Sequence, residues 1–377
     1  MDRRVLFTAS TFSHIRNFHL PYLEEFQKQG WSTYVGCKGV PESNEFADKL
    51  IEVPFCKKMI ALNNLRASRQ LRELIQKEHV DLVITHTSLA SFFTRIALTG
   101  MRRHVPLVNV VHGYLFDDDS GIIRRLILLG AEELTSRQTD LLLTMNNYDY
   151  SLARKYRLGK EIKNIPGMGV PFEKLEFVNE RSGRDIRKEL GIKKDSFVLL
   201  YAAEFSKRKS QQTLIDMMSM LPENVVLVLC GEGQTLESCK ETVRERALSD
   251  RVLFPGHVSD IAEWYKMADA VVSSSRIEGM PFNIIEAMHL GLPVIASEVK
   301  GHIDLIRNWQ NGVLFPYGDS EACADRIKEL ISSPQRMEEM GNNARKSVEK
   351  YGLKNVKEQV MNSYLTVINK TRKGDIR

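Results

Sequence analysis

Residues 270–288 read AVVSSSRIEGMPFNIIEAM: a short apolar strand, a polar loop and the first turns of a helix. In open α/β sheets, ligands bind at the carboxyl ends of strands. A helix that begins there adds N–H groups and about half a positive charge, which suits a diphosphate. Gly279 lets the backbone approach such a ligand closely. The stretch therefore predicts an α/β fold with a phosphate-bearing ligand at this strand end.

Two glutamates in this stretch are candidate ligand contacts. Glu278 precedes the predicted helix, and Glu286 lies about one turn inside it. Pro281 suits the first helical turn, where its missing N–H is no loss. A carboxylate can accept two hydroxyl hydrogen bonds, so one could meet a sugar hydroxyl and the other a ribose diol. Taken alone, the pair also fits a helix-capping acid and a helix-surface residue.

The chain of 377 residues predicts two domains, because it is too long for one ordinary core. Strand-like and helical segments alternate, which is typical of a parallel sheet covered on both faces. Two prolines and two glycines at 165–171 mark the boundary. We expect a first domain at 1–168, joined by a returning helix within 353–377, and a second at 169–352.

The predicted elements are as follows. Strands of the first half are expected at Val5–Ala9, Ser32–Cys37, Leu82–Thr85, Leu107–Val111 and Leu141–Met145. Helices of the first half are expected at Phe18–Gly30, Leu65–His79, Ala90–Gly100 and Ile122–Arg137. Strands of the second half are expected at Phe197–Ala202, Val225–Cys230, Val252–Phe254, Ala270–Ser274 and Val294–Ala296. Its helices are expected at Ser210–Met220, Thr235–Ala247, Ile261–Ala268, Ile284–Leu290 and Glu321–Ser332, before a closing helix at Leu353–Asn369.

The composition narrows the functional class. Five cysteines without CxxC or Cys/His metal spacing indicate a reducing compartment and no structural zinc site. The N-terminus lacks a signal-peptide core, and no apolar run approaches the roughly 18 residues of a membrane span. The sequence therefore predicts a cytoplasmic protein.

The net charge of +5 is modest, but its basic excess lies in the first half. Arg66, Arg69 and Arg72 share one face of a predicted helix. This face is either solvated or meets anionic lipid heads or a diphosphate-bearing acceptor, at about 1 kcal/mol per basic residue near a membrane. Nucleic acid is not an expected partner, because no recognisable reading motif is present.

Within its context, the stretch 278–286 resembles the E-x7-E signature of family 4 retaining glycosyltransferases, and GLPVIAS at 291–297 resembles the strand that follows it. Further segments resemble the bacterial capsule and exopolysaccharide branch of that family. They are FHLPYL at 18–23, GWS at 30–32, THT at 85–87 followed by Arg95, VHG at 111–113, and GH at 301–302 leading to NG at 311–312. The resemblance covers nearly the whole chain.

The resemblance implies a GT-B fold: two facing Rossmann-like domains, with a C-terminal helix crossing back to the first. The donor would be held mainly by the second domain and the acceptor mainly by the first. It also implies retained anomeric configuration, no cofactor and no required metal. The implied reaction moves a hexose or N-acetylhexosamine from a UDP-sugar to a saccharide on polyprenyl diphosphate. The protein would then work on the cytoplasmic face of an anionic membrane, in cell-surface polysaccharide synthesis.

The resemblance also assigns roles around the donor. His112 would lie against the donor sugar, bonding to a hydroxyl and to the developing charge. Glu278 would orient the same sugar, and Glu286 would hold the ribose. Gly279 and Met280 would line the donor site between them.

Cations for the donor diphosphate are expected after the first strand of the second half. Lys209 aligns with the second of two family cations. Ala203-Glu204-Phe205 stands where the family has Gly-Arg-Leu, so the first cation is missing from its usual place. We expect Arg208 or Lys207 to substitute for it, and Glu204 to point away from the diphosphate.

Several loops complete the prediction. Gly233 in the turn GEG at 231–233 fits the donor loop of the family, and Val258 fits a position beside the uracil. In the predicted N-terminal loop at 10–15, Ser13 and His14 either bond to the donor or pack. The acids at 117–119 are read as a solvated loop that could touch the acceptor sugar rather than as a metal site.

Other functions fit the sequence less well. A sugar-nucleotide epimerase can share this twin-domain architecture, but no acid/base pair for epimerisation is visible. A dehydrogenase would carry G-x-G-x-x-G after the first strand, and the chain does not. A non-catalytic nucleotide-sugar sensor is disfavoured by the presence of both glutamates. Because no carboxylate pair of glycosidase type can be identified, we favour front-face departure of the diphosphate.

Overall fold

The computed structural model describes residues 3–43, 45–118, 120–181 and 185–373, without the side chains of 177–181 and 371–373. The chain divides into two compact units. The first comprises the described residues up to Met168 together with those from Lys354 onward, and the second comprises Gly169–Leu353. Each unit is built on one parallel sheet. Among the described residues, no helix is both long and apolar enough to cross a membrane.

The sheet of the first unit has seven parallel strands among the described residues. They are β1 (Arg3–Thr11), β2 (Trp31–Lys38), β3 (Lys49–Glu52), β4 (Leu82–His86), β5 (Leu107–Val110), β6 (Leu141–Thr144) and β7 (Glu161–Asn164). Their order across the sheet is β3-β2-β1-β4-β5-β6-β7, so the chain starts inside the sheet and builds outward both ways. In the register, Val5 pairs with Thr33 on one side and Leu82 on the other. This is the doubly wound topology of nucleotide-binding folds.

The helices of the first unit correct two predictions. They are α1 (Phe12–Phe18), α2 (Leu20–Lys28), α3 (Leu62–Lys77), α4 (Ser88–Leu98), α5 (Ile122–Thr135) and α6 (Asn147–Tyr156). The predicted loop at 10–15 is mostly helical, because Phe12 and Ile15 are spaced to bury one face of α1. The predicted helix Phe18–Gly30 is interrupted at His19, whose backbone leaves the helical region at φ −122°.

In the described part of the second unit, six parallel strands form one sheet. Its strands are β8 (Phe197–Ala202), β9 (Val225–Cys230), β10 (Val252–Gly256), β11 (Ala270–Ser273), β12 (Val294–Ser297) and β13 (Val313–Phe315), in the order β10-β9-β8-β11-β12-β13. Apolar clusters on both faces bury the strands, which explains their continuous apolar runs.

The helices of the second unit are α7 (Phe172–Arg181), α8 (Ile186–Glu189), α9 (Gln211–Met218), α10 (Leu236–Glu245), α11 (Ile261–Met267), α12 (Phe282–His289), α13 (His302–Leu305), α14 (Ser320–Ile331) and α15 (Pro334–Val348). The sequence predicted Pro281 in the first turn of α12, but the structure places it before the helix. It is the extended N-cap residue, and the helix begins at Phe282.

The last helix, α16 (Leu353–Lys373), begins at the end of the second unit and otherwise belongs to the first. Its Tyr364 ring packs against those of Tyr22 and Phe26, at centroid distances of 6.1 and 6.3 Å. Lys357 Nζ donates to Glu25 Oε2 at 3.0 Å. The final residues of the predicted segment, 374–377, lie outside the described residues.

Candidate functional site

In the second unit, the loops after β8 and β11 are joined at the carboxyl edge of the sheet. Ser274 Oγ donates to the carbonyl oxygens of Lys209 and Ser210, at 3.0 and 2.8 Å. The backbone N–H of Arg276 donates to the carbonyl of Arg208 at 2.8 Å. These bonds fix the basic loop that follows β8 against the strand end that precedes Glu278.

The Glu278 side chain is the centre of this arrangement. Its Oε1 accepts a hydrogen bond from Lys209 Nζ at 2.5 Å, and its Oε2 accepts one from Arg208 Nη1 at 3.1 Å. The carboxylate is 8% exposed, Lys209 13% and Arg208 38%. Lys207 and Glu204 are both exposed. The structure thus brings Lys209 and Arg208 together on Glu278, and Arg208 is the basic neighbour of Lys209 that joins it there.

The charge state of Glu278 follows from these contacts. Burial by itself raises the pKa of a carboxyl, but the cations of Lys209 and Arg208 outweigh it and hold the pKa of Glu278 at about 2. Glu278 is therefore an anion at neutral pH and can only accept hydrogen bonds. Of its two cations, Arg208 is the more exposed.

Gly301 and His302 shape the other side of Glu278. Gly301 has φ +85°, and a Cβ there would lie 2.8 Å from Glu278 Cβ and 3.0 Å from its backbone carbonyl. His302 is fully buried, with Nδ1 2.7 Å from the Ser297 carbonyl oxygen and Nε2 3.3 Å from Ser273 Oγ. Burial lowers the pKa of His302 to about 4, despite the nearby Glu278 charge. The neutral ring therefore carries its proton on Nδ1.

The glycine turn after β9 packs onto the loop after β8. Gly231 and Gly233 have φ +136° and +149°, and a Cβ on either would lie about 2 Å from a backbone oxygen, that of Ala203 or that of Phe205. Phe205 N donates to the Glu232 carbonyl at 2.8 Å. Here glycine is required for backbone packing, which holds the turn at the edge of the sheet.

Glu286 occupies a different environment on α12. Its Oε2 accepts a hydrogen bond from Tyr265 Oη at 3.0 Å, and the same hydroxyl lies 3.0 Å from the Asn283 carbonyl oxygen. Burial raises the pKa of Glu286 to about 7, although the Tyr265 bond opposes the change. Glu286 can therefore switch between acid and anion near neutral pH. Met280 and Val258 are partly buried, and both pack against the apolar cluster that contains Tyr265. Gly279 is buried.

Sequence reasoning assigned no role to the side chains that support these glutamates, notably Tyr265, His302 and Ser274. Tyr265 lies in α11, 21 residues before Glu286, with no local motif. The serine run at 273–275 was visible, but its bonds to the basic loop join residues more than 60 positions apart. Only a tertiary structure identifies such partners.

In the first unit, the predicted site residues His112 and His14 lie together at the carboxyl edge of the sheet. His112 follows β5, and its ring centroid is 4.4 Å from that of His14 on α1. His112 Nε2 lies 3.3 Å from Nδ1 of His86. Ser13, by contrast, is exposed, and its Oγ lies 3.0 Å from Thr11 Oγ1.

The acidic run at 117–119 is engaged locally where the structure describes it. Asp118 Oδ1 accepts from Arg125 Nη1 at 2.6 Å, and Asp117 Oδ1 accepts from Ser120 Oγ at 2.7 Å. Asp119 lies outside the described residues.

Comparisons with known proteins identify the family. The model of "Glycosyltransferase Family 4" matches residues 22–167, and that of "Glycosyl transferases group 1" matches 182–347. A Bacillus subtilis (strain 168) protein named "Putative glycosyltransferase EpsD" is 32% identical over 370 residues, which cover 97% of each chain. The chain belongs to glycosyltransferase family 4. The family predicted from the sequence is thereby confirmed.

One further relative and one solved structure are similar to this family 4 glycosyltransferase along most of its length. The Escherichia coli UDP-Gal:alpha-D-GlcNAc-diphosphoundecaprenol alpha-1,3-galactosyltransferase is 27% identical over 331 residues, covering 84% of each chain. The crystal structure of Anabaena Alr3699/HepE in complex with UDP and glucose matches with a TM-score of 0.79 at 19% identity, covering 97% of this chain and 100% of that one. The two Rossmann-like units have the GT-B fold, as predicted.

The ion pairs of Glu278 predict that substitutions of Lys209 and Glu278 have non-additive effects on the free energy of unfolding. Replacing Lys209 by Met leaves a buried carboxylate with one cation fewer, whereas Lys209→Met combined with Glu278→Gln leaves no such charge. In urea titrations at pH 7, we expect the double variant to lose less free energy of unfolding than the two single variants together, by about 0.5–3 kcal/mol. Lys207→Met, on the exposed neighbour, is the control and should change stability by less than about 0.5 kcal/mol.

The coupling should also depend on pH. Because the pKa of Glu278 is lower in the folded state, ionisation stabilises the fold above the ordinary glutamate value of about 4.3. This stabilisation is lost as the pH falls toward 2. Strictly additive single variants at pH 7, or a coupling that grows on acidification, would contradict the assigned ion pairs.

Proposed function

We propose that this glycosyltransferase moves a hexose or N-acetylhexosamine from a UDP-sugar, with retained configuration, to a saccharide carried on polyprenyl diphosphate. The main support is the buried Glu278 carboxylate held by Lys209 and Arg208 at a strand end, with Glu286 further along α12. The Escherichia coli relative is named for a UDP-galactose donor and a diphosphoundecaprenol-linked acceptor, which supports both substrate classes. The HepE complex with UDP and glucose supports the donor class.

The donor diphosphate is assigned to the cations on Glu278 and to the start of α12. Lys209 and Arg208 are prealigned by Glu278, so they can turn toward phosphate oxygens without ordering a free loop. A well-placed donor to a developing charge contributes roughly 3–4 kcal/mol to transition-state stabilisation. Gly279 and Met280 precede the helix start, whose dipole favours an anion.

The nucleoside is assigned to the residues around Glu286. Its ionised carboxylate would accept hydrogen bonds from both ribose hydroxyls, while Tyr265 keeps it in place. Val258 would pack beside the uracil, and the turn that contains Gly233 would form part of the donor loop. Both glutamates then have separate tasks, since Glu278 is a permanent anion that orients the transferred sugar.

The transfer step requires no covalent enzyme intermediate. The bond between the anomeric carbon and the diphosphate oxygen breaks, and the acceptor oxygen bonds to the same face of that carbon. The acceptor proton passes to the departing phosphate, whose negative charge Lys209 and Arg208 stabilise. His112 and His14 would contact the donor, His112 through a sugar hydroxyl. We propose no metal and no cofactor for this step.

Because the proposed acceptor is carried on a membrane lipid, we propose that the first unit binds an anionic membrane surface. Helices α3 and α5 both follow a strand, so both begin at the carboxyl edge of the parallel sheet. Their first turns and preceding loops carry exposed large apolar side chains: Ile60, Leu62, Leu65, Ile122, Ile123, Leu126 and Ile127, each at least 57% exposed. Exposed basic residues lie among them: Lys57, Lys58, Arg66 and Arg124. Apolar patches with basic neighbours are typical of membrane-surface binding.

The predicted basic face of α3 contributes less to this surface than its spacing indicated. Arg69 pairs with Glu73 at 3.0 Å, and Arg72 donates to carbonyl oxygens at the end of α4, including that of Thr99 at 2.7 Å. Of the three arginines, Arg66 is the one that remains in the proposed membrane surface.

A donor panel tests the proposed reaction. UDP-, GDP- and TDP-sugars are compared by thermal shift, and the donors that bind are assayed for transfer to a polyprenyl-diphosphate-linked acceptor. We expect UDP-sugars to stabilise the protein by about 2.7 kcal/mol at a hundred times Kd. Transfer should persist in a chelator and fall sharply in Glu278→Gln. An epimerised sugar formed without acceptor, or activity lost in chelator and restored by manganese, would overturn the proposal.

The raised pKa of Glu286 predicts that UDP binding depends on pH. Because its pKa is near 7 without ligand and the ribose diol favours the anion, UDP should bind more weakly as the pH is lowered. Linkage gives a decrease of up to about tenfold between pH 8 and pH 6. Glu286→Gln should bind UDP more weakly at pH 8 and lose this component, leaving only the dependence that comes from the UDP phosphate.

The matched control is Glu241→Gln, on the exposed surface of α10. Its UDP titrations should follow those of the unaltered protein at both pH values. Unchanged affinity in Glu286→Gln would refute the ribose assignment.

Vesicle binding tests the membrane surface. We expect tighter binding to phosphatidylglycerol vesicles than to phosphatidylcholine vesicles, with a difference that shrinks as salt rises. Ile123→Ser combined with Leu126→Ser should weaken binding several-fold. Leu134→Ser, at the far end of α5 and equally exposed, should not. Equal binding to both kinds of vesicle, or equal loss in the Leu134 control, would remove the assignment.

A further inference from the structure

Four histidines from separate segments meet at the carboxyl edge of the first unit's sheet. His14 lies in α1, His19 joins α1 to α2, His86 ends β4, and His112 follows β5. One ring nitrogen from each lies within 4.8 Å of one ring nitrogen from each of the others. We call these four residues the histidine cluster.

Several ring nitrogens of the histidine cluster lack protein partners. Among the described residues, His14 Nε2, both ring nitrogens of His19, and His86 Nε2 are buried without a hydrogen bond. His112 Nε2 and His86 Nδ1 face each other at 3.3 Å. A buried polar group without a partner costs about 1–3 kcal/mol, so four such atoms on three rings of one cluster indicate a missing ligand.

The donor atoms of the histidine cluster limit which class of ligand can bind there. Its members offer imidazole nitrogens only, and a neutral imidazole is the commonest metal ligand in proteins, through either ring nitrogen. Magnesium and calcium prefer oxygen ligands, whereas zinc, cobalt, nickel and copper bind imidazole. The cluster therefore fits a first-row transition metal.

We propose that the histidine cluster binds one divalent transition-metal ion, Zn²⁺ being the best fit, through one nitrogen of each of the four rings. Tetrahedral Zn–N bonds of about 2.0–2.1 Å place ligand nitrogens about 3.4 Å apart. The nitrogens already lie within 4.8 Å of one another, so closure needs only shifts of about 1 Å per ring. All four positions are filled by protein, as in structural rather than catalytic zinc sites.

A metal at this position would tie α1, α2, β4 and the loop after β5 together, and would stabilise the first unit. The site goes beyond the proposed transfer reaction, for which we assign no metal, and it departs from the sequence-based expectation of no structural zinc site, which rested on the spacing of the cysteines. Its test uses neither donor nor acceptor, so the failure of one proposal leaves the other standing.

The test is a metal titration of the tag-free chain after treatment with chelator. We expect one Zn²⁺ per chain by calorimetry, a higher Tm with Zn²⁺, and the visible absorption of tetrahedral Co²⁺ when Co²⁺ is used as the probe. His19→Gln and His86→Gln should each weaken binding by at least about tenfold, since even the loss of an outer-shell partner costs about 10–100-fold. His257→Gln, an exposed histidine of the second unit, is the matched control and should bind normally.

Three outcomes overturn the proposal: no saturable binding in the unaltered chain, equal binding in the cluster variants, or loss of binding in His257→Gln. If the cluster variants fail to fold, the Co²⁺ spectrum of the unaltered chain decides. Nitrogen ligands give no sulfur charge-transfer band, whereas binding by any of the free cysteines would give one and would refute the assignment.

Discussion

The parallel arrangement of the strands determines where polar functional side chains can lie in this molecule. In both sheets, every described neighbouring pair is parallel, so each strand is reached by a crossover and both faces are covered. Polar side chains are then excluded from most of the strand length and collect where the strands end. Glu278 follows β11, Lys209 follows β8, and His112 follows β5. In each unit the candidate groups therefore lie at the carboxyl edge of that unit's own sheet.

The two carboxylates of the second unit show how local surroundings divide two similar residues. Glu278 and Glu286 lie eight positions apart, and burial opposes ionisation of both. Two cations lower the pKa of Glu278 to about 2, while Glu286 accepts a bond from the neutral Tyr265 hydroxyl and has a pKa of about 7. One is therefore a fixed anion that orders cations, and the other gains its charge most readily when a ligand offers hydroxyl donors.

The sequence predicted the buried parts of the fold better than the edges. The bounds predicted for β8 and β9 agree with the structure, because strands buried on both faces are long apolar runs between polar loops. The edge strands β3 and β7 read KLIE and EIKN, and β13 has three residues, so none has enough apolar length to be recognised. The polar helix α15 was also missed; it buries only a narrow face.

For the candidate site, sequence reasoning identified residues but not their pairings. Glu278 and Lys209 were both assigned to a donor, yet the bond between them joins positions 69 residues apart, and no local pattern encodes it. Glu204 was the evident difficulty, because it stands where a cation was expected. The structure leaves Glu204 exposed and puts Arg208 beside Lys209 on Glu278, four residues after the position where the family pattern has its first cation.

Each unit carries buried ionisable side chains at the carboxyl edge of its own sheet, but their charge states are opposite in kind: a paired anion in one unit and neutral rings in the other. In the second unit, a buried anion is balanced by two cations, so an incoming phosphate would have to share those cations with the Glu278 carboxylate rather than displace it. In the histidine cluster, four buried rings with no carboxylate among them disfavour protonation, because each added charge would be desolvated and most would repel a neighbour. Neutral rings keep their lone pairs, and a lone pair can bind either a hydroxyl proton or a metal ion. His112 cannot use the same nitrogen for both, so the occupant of the cluster determines what that side chain can offer to a sugar.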